Sequence, residues 1–65
     1  MNKQLNFLKT YRMHKGFLQR NLANQIGVDS SIFSAWESFK ALPPVETQNK
    51  IAEILCVRVK DIWPD

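Results

Sequence analysis

The basic side chains are the residues of this sequence whose type and spacing most clearly suggest a chemistry. Residues 1–28 hold five bases and no acid, whereas residues 29–65 hold four bases and six acids, and together they give the net charge of +3. A basic part joined to a mildly acidic part is typical of a protein that turns one face toward a polyanion. Small domains also acquire such asymmetry by chance, so charge alone does not decide the function.

The residue types that catalyse reactions or bind metals are sparse and isolated here. Cys56 is the only cysteine, and His14, the only histidine, has no cysteine or carboxylate at ligand spacing. We therefore predict no disulfide, no metal site, no cofactor and no catalytic residue. His14 is expected to be solvated or close to a phosphate, and Cys56 is expected to be a small buried apolar residue.

The size of the chain limits its architecture. With 65 residues and 45% apolar residues, it is expected to fold as one compact domain over residues 1–65, without room for a deep pocket. The sequence lacks the apolar stretch of a signal peptide and any run long enough to span a bilayer. We expect a cytoplasmic protein with no membrane partner.

The elements that must position the basic residues follow a helical period. A first helix is predicted between an N-cap at Asn2 and a stop at Gly16, from the spacing of Leu5, Leu8 and Tyr11. A second runs over about residues 18–25. It is followed by a turn of about three residues that begins at Gly27 and leads to a third helix.

The third helix is predicted to begin with Asp29 or Ser30 as its cap and to end near Ser38. After two prolines, a fourth helix is expected over residues 45–55. The alternation of Val57 and Val59 could be a strand, but a lone strand would leave its backbone unpaired, so we prefer a connector and a last turn over residues 60–63.

Both tryptophans, Trp36 and Trp63, are expected in the core. The prediction is an all-α domain of four to five helices with its two-helix motif at about residues 18–38. Two short helices joined by a tight glycine turn are the arrangement that places one helix in the major groove of DNA. The residues that fit this motif in order and spacing are Gln19, Leu22, Ala23, Ile26, Gly27, Val28, Ser31, Phe33, Ser34, Trp36, Glu37, Pro43, Ile51, Ala52, Leu55 and Val57.

On these residues the sequence resembles the Cro/repressor-type helix-turn-helix family, also called the Xre family, over about residues 5–63. The resemblance implies a compact repressor-like fold and a prokaryotic or phage transcriptional regulator that binds double-stranded DNA in a sequence-specific way, more often as a repressor. A domain this small reads few base pairs, which suggests a homodimer on an inverted repeat.

The resemblance also implies which residues contact DNA. Gln19 would bind a phosphate and brace the third helix, while Lys15, Arg20, Ser38 and Lys40 would add backbone contacts. The positions that read bases are Ser30, Ser31, Ser34 and Ala35, with Ile32 beside them. Because these side chains are short, direct readout is expected to be modest, and DNA shape is expected to contribute more.

Arg12 and Glu37 stand where the family often has a structural ion pair, and we expect a partly buried pair between the first and third helices. Two residues depart from the family pattern. Leu18 replaces the usual capping Ser or Thr, and Phe39 replaces a glycine, where an aromatic residue should resist positive φ. The alternative function is a protein-interaction module on the same scaffold, which would bind another regulator through Ile32 and Phe39.

Overall fold

The computed structural model describes residues 6–64, and these residues form five helices and no strand. The helices are α1 (Leu8–His14), α2 (Gln19–Ile26), α3 (Ser30–Glu37), α4 (Val45–Leu55) and α5 (Val59–Ile62). The expected all-α class is confirmed, and α4 has the predicted bounds. Residues 56–58 form the expected connector rather than a strand. The proposed N-cap at Asn2 and the apolar contact of Leu5 lie outside the described residues.

The first helix starts later than the sequence pattern predicted. Asn6 and Phe7 are not helical, and the Asn6 side chain explains why. Its Oδ1 accepts the N–H of Leu8 at 2.9 Å, and its Nδ2 donates to the carbonyl oxygen of Trp36 at 3.0 Å. A short polar side chain that bonds to nearby backbone competes with helix formation. The buried Asn6 therefore lies just before α1 and fastens the start of that helix to α3.

The core lies between the helices and is almost entirely apolar. Phe33 and Trp36 of α3 pack with their ring centroids 5.6 Å apart and their planes tilted by 57°. Both tryptophans are buried, as predicted. The core cluster of the described chain consists of Leu8, Leu22, Ala23, Phe33, Trp36, Ile51, Ala52, Leu55, Ile62 and Trp63. Since α1 to α5 all contribute to this one cluster, the position of α3 is set by the whole domain.

Two residues behave differently from their sequence predictions, and both have positive φ. Phe39 follows α3 at φ 65° with its ring half-exposed, although we expected an aromatic residue to resist this conformation. The N–H of Lys40 donates to the carbonyl oxygen of Ala35 at 2.9 Å, a helix-ending bond that requires the left-handed residue before it. Cys56 caps α4 at φ 60° and is exposed, so the prediction that it is buried is wrong.

The fifth helix is a single turn that is closed by its own side chains. The Asp61 carboxylate accepts the backbone N–H of Arg58 at 3.0 Å and a guanidinium N–H of the same residue at 3.2 Å. These two hydrogen bonds lower the pKa of Asp61 below its ordinary value of 3.8. No helix within residues 6–64 combines the length and the apolar character needed to cross a membrane.

Candidate nucleic-acid interface

The second and third helices form a helix-turn-helix unit whose turn is residues 27–29, the three-residue length that the sequence predicted. Gly27 adopts φ 88°, a conformation open to glycine at little cost. The carbonyl oxygen of Ala23 accepts the N–H groups of both Gly27 and Val28, at 2.9 and 3.0 Å. Leu22 is fully buried and Ala23 nearly so. The angle between α2 and α3 is thus held by backbone hydrogen bonds and by the core.

The outward face of α3 carries the residues that the sequence singled out for base contact. Ser30 and Ser31 are exposed, and Ile32 is 49% exposed although it is apolar. Ser34 and Ala35, one turn further along, are half-buried. The face is consequently most open in the first turn of α3, and any base contact is most accessible there.

The N-terminus of α3 is arranged differently from a usual capped helix. Asp29 stands at the N-cap position, but neither its carboxylate nor the Ser30 hydroxyl caps a backbone N–H, so the predicted side-chain cap is not formed. Instead, the Ser31 hydroxyl donates to Oδ2 of Asp29 at 2.5 Å. The backbone of the first turn is closed by the Asp29 carbonyl oxygen, which accepts the N–H groups of Ile32 and Phe33.

A buried ion pair joins α1 to the end of α3, as the family resemblance implied. Arg12 donates from Nε to Glu37 Oε2 at 2.5 Å and from Nη2 to Oε1 at 3.3 Å. The two side chains are only 10% and 5% exposed. Nη1 of Arg12 also donates to the carbonyl oxygen of Phe17, which precedes α2, at 2.8 Å. The guanidinium therefore links all three of the first helices.

Gln19, the first residue of α2, is bonded to the same carboxylate. Its Nε2 donates to Oε1 of Glu37 at 3.0 Å. Because a carboxylate accepts and does not donate, this bond fixes the amide with its nitrogen toward Glu37. A second N–H on that nitrogen has no partner among the described side chains, and Gln19 is half-buried. The expected bracing of the third helix is thus present as a hydrogen bond.

The basic residues proposed for backbone contact surround this unit at its surface. Lys15 is the C-cap that follows α1, Arg20 is the second residue of α2, and Lys40 lies beyond the end of α3. All three are exposed. Ser38 is also exposed, but its hydroxyl donates to the carbonyl oxygen of Ser34 at 2.8 Å. The backbone N–H of Ser38 donates to the same carbonyl oxygen at 3.0 Å. Both donors of Ser38 are therefore occupied within the protein, which does not favour the predicted phosphate contact from this residue.

Two residues of this region were not singled out by the sequence. Asn6 gave no recognisable signal, because its role depends on a carbonyl 30 residues away. Asp29 was predicted only as a cap, yet composition could have drawn attention to it: within residues 1–45 the only acids are Asp29 and Glu37. Across residues 6–64 no group of three or more His, Cys, Asp or Glu side chains is arranged to hold a metal ion.

The fold and part of the sequence are shared with known structures. No protein-family model matches the chain, and no curated protein matches it. A crystal structure described as a "putative DNA-binding protein" from Bacteroides fragilis is 33% identical, with a TM-score of 0.84 over 89% of this chain and 94% of that one. The "hypothetical transcription factor NHTF" from Neisseria is 29% identical, with a TM-score of 0.74 over 88% of this chain and 68% of that one.

Proposed function

Because this chain belongs to the same family as the Bacteroides fragilis protein, we propose that it is a DNA-binding transcriptional regulator that inserts α3 into the major groove. The observation that carries the proposal is the match over nearly the full length of both chains, together with the exposed first turn of α3. The eight residues of α3 span about 12 Å, which is comparable to the width of the groove. The proposal contains no catalytic step and no cofactor.

Sequence readout would come from the front of α3. The Ser30 hydroxyl can donate to or accept from a base edge, and the Ser31 oxygen, whose proton is donated to Asp29, can accept a hydrogen bond. Ile32 can contact the methyl group of a thymine. Ser34 and Ala35 are half-buried and short, so they would allow the helix to lie close to the base edges at the floor of the groove. With few long side chains available, deformability of the DNA would supply much of the remaining specificity.

Affinity would come mainly from the phosphate backbone. The exposed cations Lys15, Arg20 and Lys40 flank the motif, and the second N–H of Gln19 Nε2 is available to a phosphate oxygen. Each phosphate neutralised by a cation releases counterions and contributes about −0.9 to the slope of log K against log salt. Three such contacts per protomer predict a slope of about −3 for a monomer and twice that for a dimer.

The finer assignment follows the family resemblance. We propose a repressor of the Cro or Xre type, from a prokaryote or phage, that acts in the cytoplasm as a homodimer on an inverted repeat. Dimerisation is favoured because one protomer offers only one helix of eight residues to the groove. Half-sites about one helical turn apart, 10–10.5 base pairs, are expected on that geometry.

The test is selection of bound duplexes from a random pool, followed by affinity measurement for Gln19→Ala. A hydrogen bond to a charged group contributes about 1.5–3 kcal/mol, so this variant should bind the selected site at least about tenfold more weakly. Gln25→Ala removes an exposed amide from the other end of the same helix and should leave affinity within about twofold. Failure of the wild type to enrich any duplex would refute the proposal.

A protein-interaction module remains the second candidate function. The observation that favours it is the exposure of two large apolar side chains at the ends of α3, Ile32 at 49% and Phe39 at 46%. Exposed apolar side chains mark a contact with another protein when they form one contiguous patch. A complex that survives high salt, excludes duplex DNA and is lost in Ile32→Ser would support this function over DNA binding.

A further inference from the structure

Asp29 is an acid on a surface that is otherwise basic or neutral. Of the two acids within residues 1–45, Glu37 is buried with Arg12, which leaves Asp29 as the exposed carboxylate of residues 6–45. Five bases lie in the same described segment: Lys9, Arg12, Lys15, Arg20 and Lys40. A carboxylate at the front of a helix that enters DNA opposes the phosphates. Its presence there costs affinity, so a compensating role is expected.

The carboxylate does not perform the usual task of its position. It accepts no backbone N–H of α3, and its bond is to the hydroxyl proton of Ser31 at 2.5 Å. That bond consumes the one proton that either side chain could donate. The outward-facing atoms of the two residues are then acceptors only: both carboxylate oxygens, which have lone pairs to spare, and the Ser31 oxygen. The side chains of Asp29 and Ser31 can therefore bind only a hydrogen-bond donor.

Resting on the proposed function, we infer that Asp29, oriented by Ser31, selects a cytosine in each half-site. In the major groove the donors are the N4 amino group of cytosine and the N6 amino group of adenine. Guanine and thymine present acceptors, which a carboxylate repels. Adenine places its N7 acceptor beside N6, so one carboxylate oxygen would face a lone pair there. Cytosine offers a donor alone at this edge and is the favoured partner.

Asp29→Asn tests this inference because it is nearly isosteric and keeps a residue suited to an N-cap. The same selection from random duplexes is run on the wild type and the variant. The wild type should enrich cytosine at one position of each half-site by about 5- to 150-fold over guanine and thymine. The asparagine amide of the variant has an oxygen that can accept from N6 of adenine and an N–H that can donate to N7 of adenine. The variant should therefore change that one position from cytosine to adenine.

Glu46→Gln is the matched control. Glu46 is an exposed acid in the first turn of α4, so its replacement makes the same change in net charge outside the α2–α3 unit. It should raise affinity for all duplexes slightly and leave base preference unchanged. Asp29→Ser, which also retains a good N-cap residue, should lose the cytosine preference while melting within a few degrees of the wild type, so a fold defect is distinguished from a loss of readout.

The possible results distinguish a failure of this inference from a failure of the proposed DNA-binding function on which it rests. A wild-type site whose bases are all unchanged in Asp29→Asn and Asp29→Ser overturns the role of Asp29 and leaves DNA binding intact. A wild type that enriches no sequence overturns DNA-sequence recognition itself. A switch from cytosine to adenine at one position, with the rest of the site retained, supports both.

Discussion

Replacing Glu37 with methionine should destabilise the protein far more than the ion pair itself stabilises it. The change leaves Nε and Nη2 of Arg12 without their acceptor, in a side chain that is only 10% exposed, and only Nη1 keeps its bond to Phe17. Removing one partner of a buried pair costs about 3–5 kcal/mol, because the other charge stays buried. Arg12→Met should cost a similar amount, since Glu37 would keep only the Gln19 N–H.

This cost is large for so small a domain. At about 0.05–0.15 kcal/mol per residue, a chain of 65 residues has a total stability of about 3–10 kcal/mol. At about 4–8 °C per kcal/mol, either single substitution should lower Tm by about 12–40 °C. The double variant Arg12→Met/Glu37→Met replaces the pair with apolar side chains of similar volume and should be more stable than either single variant.

The assay is urea unfolding followed by circular dichroism and tryptophan fluorescence on all four proteins, with a stabilising osmolyte added equally so that the weakest remains folded. The expected result is a coupling energy of several kcal/mol. Arg58→Met is the control, because that guanidinium belongs to an exposed pair and its loss should change stability little. If the costs of the two single substitutions simply add in the double variant, the account of a mutually dependent buried pair is wrong.

Substitutions at three residues probe the helix ends. Phe39→Gly should raise the free energy of unfolding by about 0.5–1 kcal/mol, because glycine adopts φ 65° without strain. Thermal melting measures the change. A lower Tm would show that the contacts of the Phe39 ring stabilise the protein by more than the strained backbone conformation destabilises it. Cys56→Gly should stabilise by a similar amount for the same reason at φ 60°, whereas Cys56→Val should destabilise. Asp61→Asn should lower stability at pH 7, and the difference should shrink in acid. The lowered pKa of Asp61 means that its contribution is fully present above pH 3.8 and decreases as the pH falls from there through the folded-state value. A gap that does not narrow as the pH falls below 3.8 would contradict the capping role.

The elements that the sequence predicted well are those fixed by local chemistry. The prolines before α4 and the spacing of its apolar residues were enough to predict both bounds of that helix. In the structure Pro44 precedes α4, and Cys56 in the left-handed conformation ends it. Gly27 likewise marked the turn of the motif. The start of α1 was mispredicted because Asn6 is held by a carbonyl of α3, a contact between residues 30 positions apart that no local pattern encodes.

The candidate site divides in the same way. The Arg12–Glu37 pair was expected from the family resemblance and is confirmed by the geometry. The conformation of Phe39 was mispredicted because steric preference alone disfavours φ 65°, whereas the hydrogen bond that ends α3 requires it. Which residues contact DNA stays a prediction, since composition and helical spacing give the exposed face but not the partner that covers it.

The N–H of Phe7 donates to the carbonyl oxygen of Ile62 at 2.8 Å. This hydrogen bond joins the N-cap residue of α1 to the last residue of α5. α5 has four residues and α1 has seven, and helices this short do not persist alone in water. The two are therefore expected to open and close together as one cooperative unit. Their amide hydrogens should exchange with solvent at similar rates, and cutting the chain before Ile62 should loosen α1 although the cut lies about fifty residues away in the sequence.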